Sequence, residues 1–153
     1  MQTQPTVRQV DLEEPLVIYG RHFQGDYARS PQYITEVMEL LKQAGIDYQP
    51  NKALGIYYDN PQQKSPEELR CFQGVFINDA AAAVPQSLEK FVLTGRYLYV
   101  NITGDPMRSI FEGYQVLFDY IGKNNTHLKS PAGYQVSTFE DGAMTTEIYM
   151  ELA

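Results

Sequence analysis

Few side chains in this 153-residue sequence have a setting that suggests chemistry, and the best placed is Glu147. It stands in Thr146-Glu147-Ile148-Tyr149, a stretch that otherwise reads as a core strand. A glutamate on an alternating strand most often faces solvent. The functional alternative is a partly desolvated carboxylate that pairs with a cationic ligand or serves as a general base. The chain has 12 tyrosines and no tryptophan. Tyrosine joins an apolar ring to a polar tip, so it suits half-wet pockets as well as half-buried strands. Tyr57, Tyr134 and Tyr149 are the candidate aromatic walls of a cation-accepting pocket around Glu147. Strand alternation alone does not say which of them face inward.

The remaining vocabulary is thin. His22 lies in a strand pattern and His127 in a polar loop, and two histidines do not make a His-rich metal site. Cys71 sits in an apolar strand pattern and reads as a buried, inert thiol. A Ser-His-Asp triad is assembled by the fold, not by spacing, and no nucleophile-elbow motif supports one. Gly-rich phosphate loops are absent. Glu140 and Asp141 precede Gly142 in a turn and read as solvated. No catalytic residue, metal ligand or cofactor is therefore assigned.

Composition bounds the partners. Hydrophobic content of 43% with 20% charged residues fits one folded domain spanning 1–153. The net charge is −7, with no basic run, helix-turn-helix signature or aromatic-plus-Arg platform, so direct nucleic-acid binding is not expected. The charge by itself speaks first for solubility, and beyond that for cationic small molecules or basic partners. No apolar run approaches the roughly 20 residues that span a bilayer, and the N-terminus lacks a signal-peptide pattern. With one cysteine, these features point to the cytoplasm and away from membranes.

The elements that must position Glu147 and the tyrosines repeat. Leu16 to Phe23 reads as a strand, broken at Gly25-Asp26. Ser30-Pro31 reads as a helix start, with Ser as cap and Pro at the first helical position. Ile34, Val37, Met38 and Leu41 give that helix an apolar face, and Gly45 ends it. Strands are expected at Leu54 to Tyr58 and Cys71 to Ile77. The second half follows suit: a strand from Arg96 to Thr103, a break at Gly104-Asp105, and a helix from about Ser109 to Ile121. That helix carries Ile110, Tyr114, Leu117, Phe118 and Ile121 on one face. Strands from Gly133 to Phe139 and Thr145 to Leu152 close the chain. Gly25, Asp26, Arg29 and Ser30 match Gly104, Asp105, Arg108 and Ser109 at a constant offset of 79 residues. The expected fold is α+β: duplicated β-α-β-β units joining edges into one curved, mostly antiparallel sheet. Both helices pack on one face, and a pseudo-twofold groove lies between the halves. The first repeat covers about 16–78, a connector 79–89, and the second repeat about 90–152.

Gly55 to Cys71, GIYYDNPQQKSPEELRC, is the most distinctive segment. A strand pattern runs into Asp59-Asn60-Pro61, a second stop follows at Ser65-Pro66, and Glu67-Glu68-Leu69-Arg70 leads into the next strand. Its Asp, Asn and Pro residues read as shaping the connection, not as chemistry. This pattern resembles the GyrI-like family of gyrase-inhibitory proteins and effector-binding domains of AraC-type and multidrug-sensing regulators. Tyr57, Tyr58, Asp59, Asn60, Pro61, Pro66, Glu67, Leu69 and Arg70 carry the likeness. Arg21 to Tyr27, Thr94 to Asp105 and Thr146 to Leu152 extend it over nearly the whole chain.

The resemblance implies a ligand groove between the two units and an acid on the closing strand that meets cationic or polar ligands; Glu147 occupies that place. It implies that Tyr57 lies on a strand bordering the groove. Where relatives often carry Phe-Glu-x-Tyr, this chain reads Tyr134-Gln135-Val136-Ser137. Some relatives hydrolyse cyclopropane-containing toxins with a glutamate and pocket aromatics, often including Trp. The lost acid and the absent Trp weigh against an enzyme here. The leading expectation is a stand-alone small-molecule-binding protein for amphipathic or cationic compounds, with no DNA-binding segment ahead of the strand at Leu16. The alternatives are a protein that binds and inhibits or protects DNA gyrase, and a hydrolase of a reactive cyclopropane-type xenobiotic with Glu147 activating water.

Overall fold

A computed structural model describes residues 6–78, 83–103 and 106–153, the side chains of 103, 106–111 and 131 apart. Alternating β-branched and aromatic residues form six strands, and two amphipathic stretches form helices. The strands are β1 (Arg8–Gln24), β2 (Tyr48–Tyr57), β3 (Arg70–Ile77), β4 (Glu89–Thr103), β5 (Leu128–Glu140) and β6 (Ala143–Leu152). The helices are α1 (Ser30–Gln43), between β1 and β2, and α2 (Pro106–Asn124), between β4 and β5. The class is α+β, and the order strand–helix–strand–strand occurs twice.

Contacts divide the chain into two compact units: Pro15–Leu93, here the N-terminal unit, and Thr94–Ala153 with the segment up to Glu14, here the C-terminal unit. In the N-terminal unit β3 lies between β1 and β2, antiparallel to both, with Tyr19 opposite Val75 and Ala53 opposite Val75. In the C-terminal unit β6 lies between β4 and β5, again antiparallel to both.

Each helix covers one face of its own sheet. Val37 and Leu41 of α1 pack on Tyr19, Ala53 and Val75, with Ile34 and Met38 at the margin, the face expected from their spacing. Leu117 of α2 packs on Leu98, Val100, Ile148 and Met150, with Tyr114 and Ile121 beside it. Phe118 departs from expectation: it is 53% exposed and stacks on Tyr114 at 6.3 Å between centroids. Its position at the edge of the helix's apolar stripe leaves it beyond the reach of the sheet. The side chain of Ile110 and the Gly104-Asp105 break lie outside the described residues.

β2 begins at Tyr48 and not Leu54, β4 at Glu89 and not Arg96, and β5 at Leu128 and not Gly133. Three further differences from the sequence reading have local reasons. β1 begins at Arg8, not near Leu16, because Val10 and Leu12 alternate through an otherwise polar stretch. Ser30 is not the cap of α1. It already has helical angles, and its hydroxyl donates to the Tyr27 carbonyl at 2.7 Å. Capping falls instead to Asp26, whose Oδ1 accepts from the Ala28 N–H at 3.0 Å and starts a 3-10 turn, Tyr27–Arg29. α2 starts at Pro106, a few residues before the expected Ser109. The end of α1 matches: Gly45 takes a φ of 71°, and the Ile46 N–H bonds back to the Leu41 carbonyl at 3.0 Å.

The long connection between β2 and β3 is held by one carboxylate. Asp59 Oδ2 accepts from the Arg70 backbone N–H (2.8 Å) and Nε (3.0 Å), and Oδ1 from Arg70 Nη2 (3.0 Å) and Lys64 Nζ (2.8 Å). Its side chain is 4% exposed. Tyr27 joins the same corner by donating to the Asp59 carbonyl at 3.0 Å. The donors from Arg70 and then Lys64 hold the Asp59 carboxyl below the usual carboxylate range. A depressed folded-state pKa means that the unfolded chain takes up the proton first as pH falls. The stabilisation by Asp59 is thus complete above its unfolded value, about pH 4, and is lost as pH falls from there through the folded value. Urea-midpoint measurements across pH are expected to show wild type ahead of Asp59→Asn by a constant margin at neutral pH, narrowing below about pH 4. A margin that stays flat into strong acid would contradict this role.

Candidate functional site

Because side chains alternate along a strand, the register of β4, β5 and β6 sorts them between two faces. Leu98, Val100, Ile148 and Met150 point toward α2. The residues between them point the other way. Tyr99 lies opposite Tyr149, Asn101 opposite Glu147, and Tyr134 opposite Tyr149. The face opposite α2 thus gathers Tyr97, Tyr99, Tyr134, Tyr149 and Glu147. Three of the four residues singled out from sequence (Glu147, Tyr134 and Tyr149) come together here.

The group is ordered by hydrogen bonds and ring contacts. Tyr99 donates its hydroxyl to Glu147 Oε2 at 2.5 Å, and Tyr149 to the same oxygen at 3.4 Å. Asn101 Nδ2 donates to the Tyr99 hydroxyl at 3.3 Å. The Tyr99 and Tyr149 rings meet edge to face at 5.0 Å, Tyr97 and Tyr149 at 5.8 Å, and Tyr134 approaches Tyr97 at 6.0 Å. Such edge-to-face geometry sets the positive rim of one ring against the negative face of the next. The guanidinium of Arg8 lies over the Tyr99 ring, 4.9 Å from its centre.

Electrostatics keep the phenols as donors. Burial first, and then the Glu147 charge, push the Tyr149 phenol well above its ordinary value. Burial and the hydrogen bond to Glu147 raise Tyr99 in the same way. A phenolate beside a carboxylate would be a like-charge pair in a poorly hydrated place. Neither tyrosine is therefore a base or nucleophile near neutral pH. The face offers a carboxylate framed by neutral O–H donors and aromatic rings. Among the described residues, no Lys or Arg nitrogen lies within salt-bridge distance of Glu147.

The family model for a GyrI-like small molecule binding domain matches residues 5–152. The chain belongs to the GyrI-like family. Solved structures agree on the fold. The C-terminal domain of EcmrR is similar with a TM-score of 0.70 at 16% identity, over 100% of this chain and 99% of that one. EcmrR in its complex with DNA is similar with a TM-score of 0.69 at 14% identity, over 98% of this chain. This chain spans only 58% of that longer one. SAV2435 bound to tetraphenylphosphonium is similar with a TM-score of 0.55 at 14% identity, over 99% of this chain and 94% of that one. No curated protein sequence matches the chain.

Within this GyrI-like chain, Tyr57 stands apart from the other three. It belongs to the N-terminal unit and shares the α1-facing side of β2 with Ala53. Its ring lies edge-on to Tyr27 at 4.8 Å, and its hydroxyl is 3.4 Å from Ser30 Oγ. It folds back over Gly55, where an added Cβ would meet the hydroxyl at 2.9 Å. Gln135 likewise faces a helix, donating from Nε2 to the Tyr114 hydroxyl at 3.0 Å.

Sequence reasoning passed over a second cluster, in the N-terminal unit. His22 Nδ1 meets Glu89 Oε2 at 2.5 Å, and Nε2 meets the Tyr58 hydroxyl at 3.1 Å. The ring packs edge-on to Phe72 at 5.2 Å. His22, Phe23, Gln24, Tyr58 and Arg70 line a cleft of about 550 Å³. Its polar side chains already have partners, His22 in Glu89 and Arg70 in Asp59. His22 and Glu89 are 67 residues apart, so no local spacing signals the pair. Another concavity, of about 540 Å³, runs along α2 and is lined mainly by polar residues such as Gln115, Asp119 and Lys123.

Replacing Glu147 with Gln removes the charge that opposes phenolate formation. An ultraviolet titration of Glu147→Gln is expected to show the Tyr99 and Tyr149 phenols ionising at lower pH than in wild type. Superimposable titration curves would show that the carboxylate does not govern these phenols.

Proposed function

We propose that this protein binds small amphipathic organic cations on the face opposite α2, with Glu147 as the counter-charge. The observation that carries this reading is the partner set of Glu147: two neutral phenols, and no basic nitrogen within salt-bridge distance among the described residues. A carboxylate in that setting gains more from an incoming cation than one already paired, as Asp59 is. Tyr99 and Tyr149 supply ring faces, and a cation over such a face gains about 0.5–2 kcal/mol. Tyr134 extends the aromatic surface for the apolar part of the ligand, with Tyr97, itself buried, packed behind it.

Membership of a small-molecule-binding family supports the reading. So does the fold shared with SAV2435, whose ligand, tetraphenylphosphonium, is a bulky aromatic cation. The fold shared with the C-terminal domain of EcmrR, a protein also solved in complex with DNA, is compatible with a binding role. Burial and Glu147 raise the Tyr99 and Tyr149 phenols, so neither is a base near neutrality, and Glu151, the other acid on this face, is paired with Lys129. The strand–helix–strand–strand order of both units supports reading them as copies of one ancestral unit.

Isothermal titration calorimetry with tetraphenylphosphonium tests the assignment. Glu147→Gln is expected to weaken binding by about 1–3 kcal/mol, with the fold intact by circular dichroism. Equal affinity in the two proteins would remove Glu147 from the site.

A further inference from the structure

Arg8 lies over one of the rings that the proposed cation would meet. It is the first residue of β1, in the part of that strand that belongs to the C-terminal unit. Val7 packs into the apolar core beneath α2. The next residue then projects to the opposite side, and the Arg8 guanidinium settles 4.9 Å from the centre of the Tyr99 ring. The strand is held in place downstream, where Thr94 Oγ1 donates to the Leu12 carbonyl at 3.2 Å. The Arg8 charge is felt at the heart of the site, since it favours the ionised forms of both Tyr99 and Tyr149 against the opposing effect of Glu147. Among the described residues Arg8 has no carboxylate within salt-bridge distance. Its residue is exposed, so the side chain is free to swing into water.

We infer that Arg8 is a resident cation that a ligand must displace, and that it sets which cations this site accepts. This deepens the proposed function and rests on it. One ring face stabilises one cation, and a second positive charge beside it is repelled. With Arg8 on the Tyr99 ring, the site is competent for only the fraction of time that the guanidinium is away. The apparent affinity for a cation falls by that fraction. Bulky aromatic cations offset this loss by burying rings against Tyr134 and the exposed rims of the rings around it. A small cation with no rings lacks that compensation. Arg8 thus acts as a specificity filter, excluding small cations from an acidic aromatic face that would otherwise take them.

The test is calorimetry on the full chain with tetraphenylphosphonium and with tetramethylammonium, comparing wild type, Arg8→Ala and Arg8→Lys. Arg8→Ala is expected to bind tetraphenylphosphonium about two- to fivefold more tightly, the range that corresponds to one exposed cation–π contact. It is also expected to gain measurable tetramethylammonium binding. Arg8→Lys, which keeps the charge, is expected to stay within about twofold of wild type. Nuclear magnetic resonance of the arginine side chains adds a separate readout: the Arg8 signals, shifted by the Tyr99 ring in free protein, should move to ordinary values when ligand binds. If wild type binds and Arg8→Ala binds no better, the filter is overturned while the cation site stands. If tetraphenylphosphonium binds to neither protein, the cation site itself is overturned, and the filter with it.

Discussion

The C-terminal unit is organised around a carboxylate that is satisfied without being neutralised. Taking an acid out of water costs several kcal/mol unless hydrogen bonds replace its hydration. Glu147 meets that demand with the hydroxyls of Tyr99 and Tyr149. The relation is mutual, because burial first and then the carboxylate raise the phenol pKa values further, so the phenols stay donors well into the alkaline range. The result is a preorganised negative centre framed by rings. A salt bridge at this position would have satisfied Glu147 and neutralised it as well.

The rest of the unit maintains that arrangement. Strand alternation commits Leu98, Val100, Ile148 and Met150 to the core under α2 and, by the same pleat, commits Tyr99, Glu147 and Tyr149 to the opposite face. A one-residue slip of β6 would exchange the two sets, so the apolar core fixes the register of the polar site. The N-terminal unit uses its acids differently. Asp59 is saturated by Arg70 and Lys64 and anchors a long connection, and Glu89 is matched to His22. Asp59 and Glu89 thus have a basic or imidazole partner, whereas Glu147 accepts hydrogen bonds from neutral hydroxyls.

The elements were legible where periodicity and punctuation agreed. The apolar face of α1, its end at Gly45 and the structural character of the Asp59 turn all follow from residue types a few positions apart. Glu147 stood out because an acid interrupts an apolar strand. Tyr99 and Asn101 did not, since a strand reading Tyr-Leu-Tyr-Val-Asn-Ile only shows its polar face once the register with β6 is known. Tyr57 shows the same limit from the other direction. Its parity on β2 turns it toward α1, and parity relative to a helix is a tertiary fact. The first half of β1 was hidden by its polar composition, and with it the position of Arg8.

The most direct measurement maps where a bulky cation sits. Tetraphenylphosphonium titrated into protein isotope-labelled on its tyrosine and histidine rings should perturb Tyr99 and Tyr149 most, with Tyr97 and Tyr134 following. Tyr58 and His22 should stay unmoved. Perturbation centred on Tyr58 and His22 instead, with Tyr99 and Tyr149 unchanged, would place the ligand in the N-terminal cleft and contradict the assignment of Glu147 as the counter-charge.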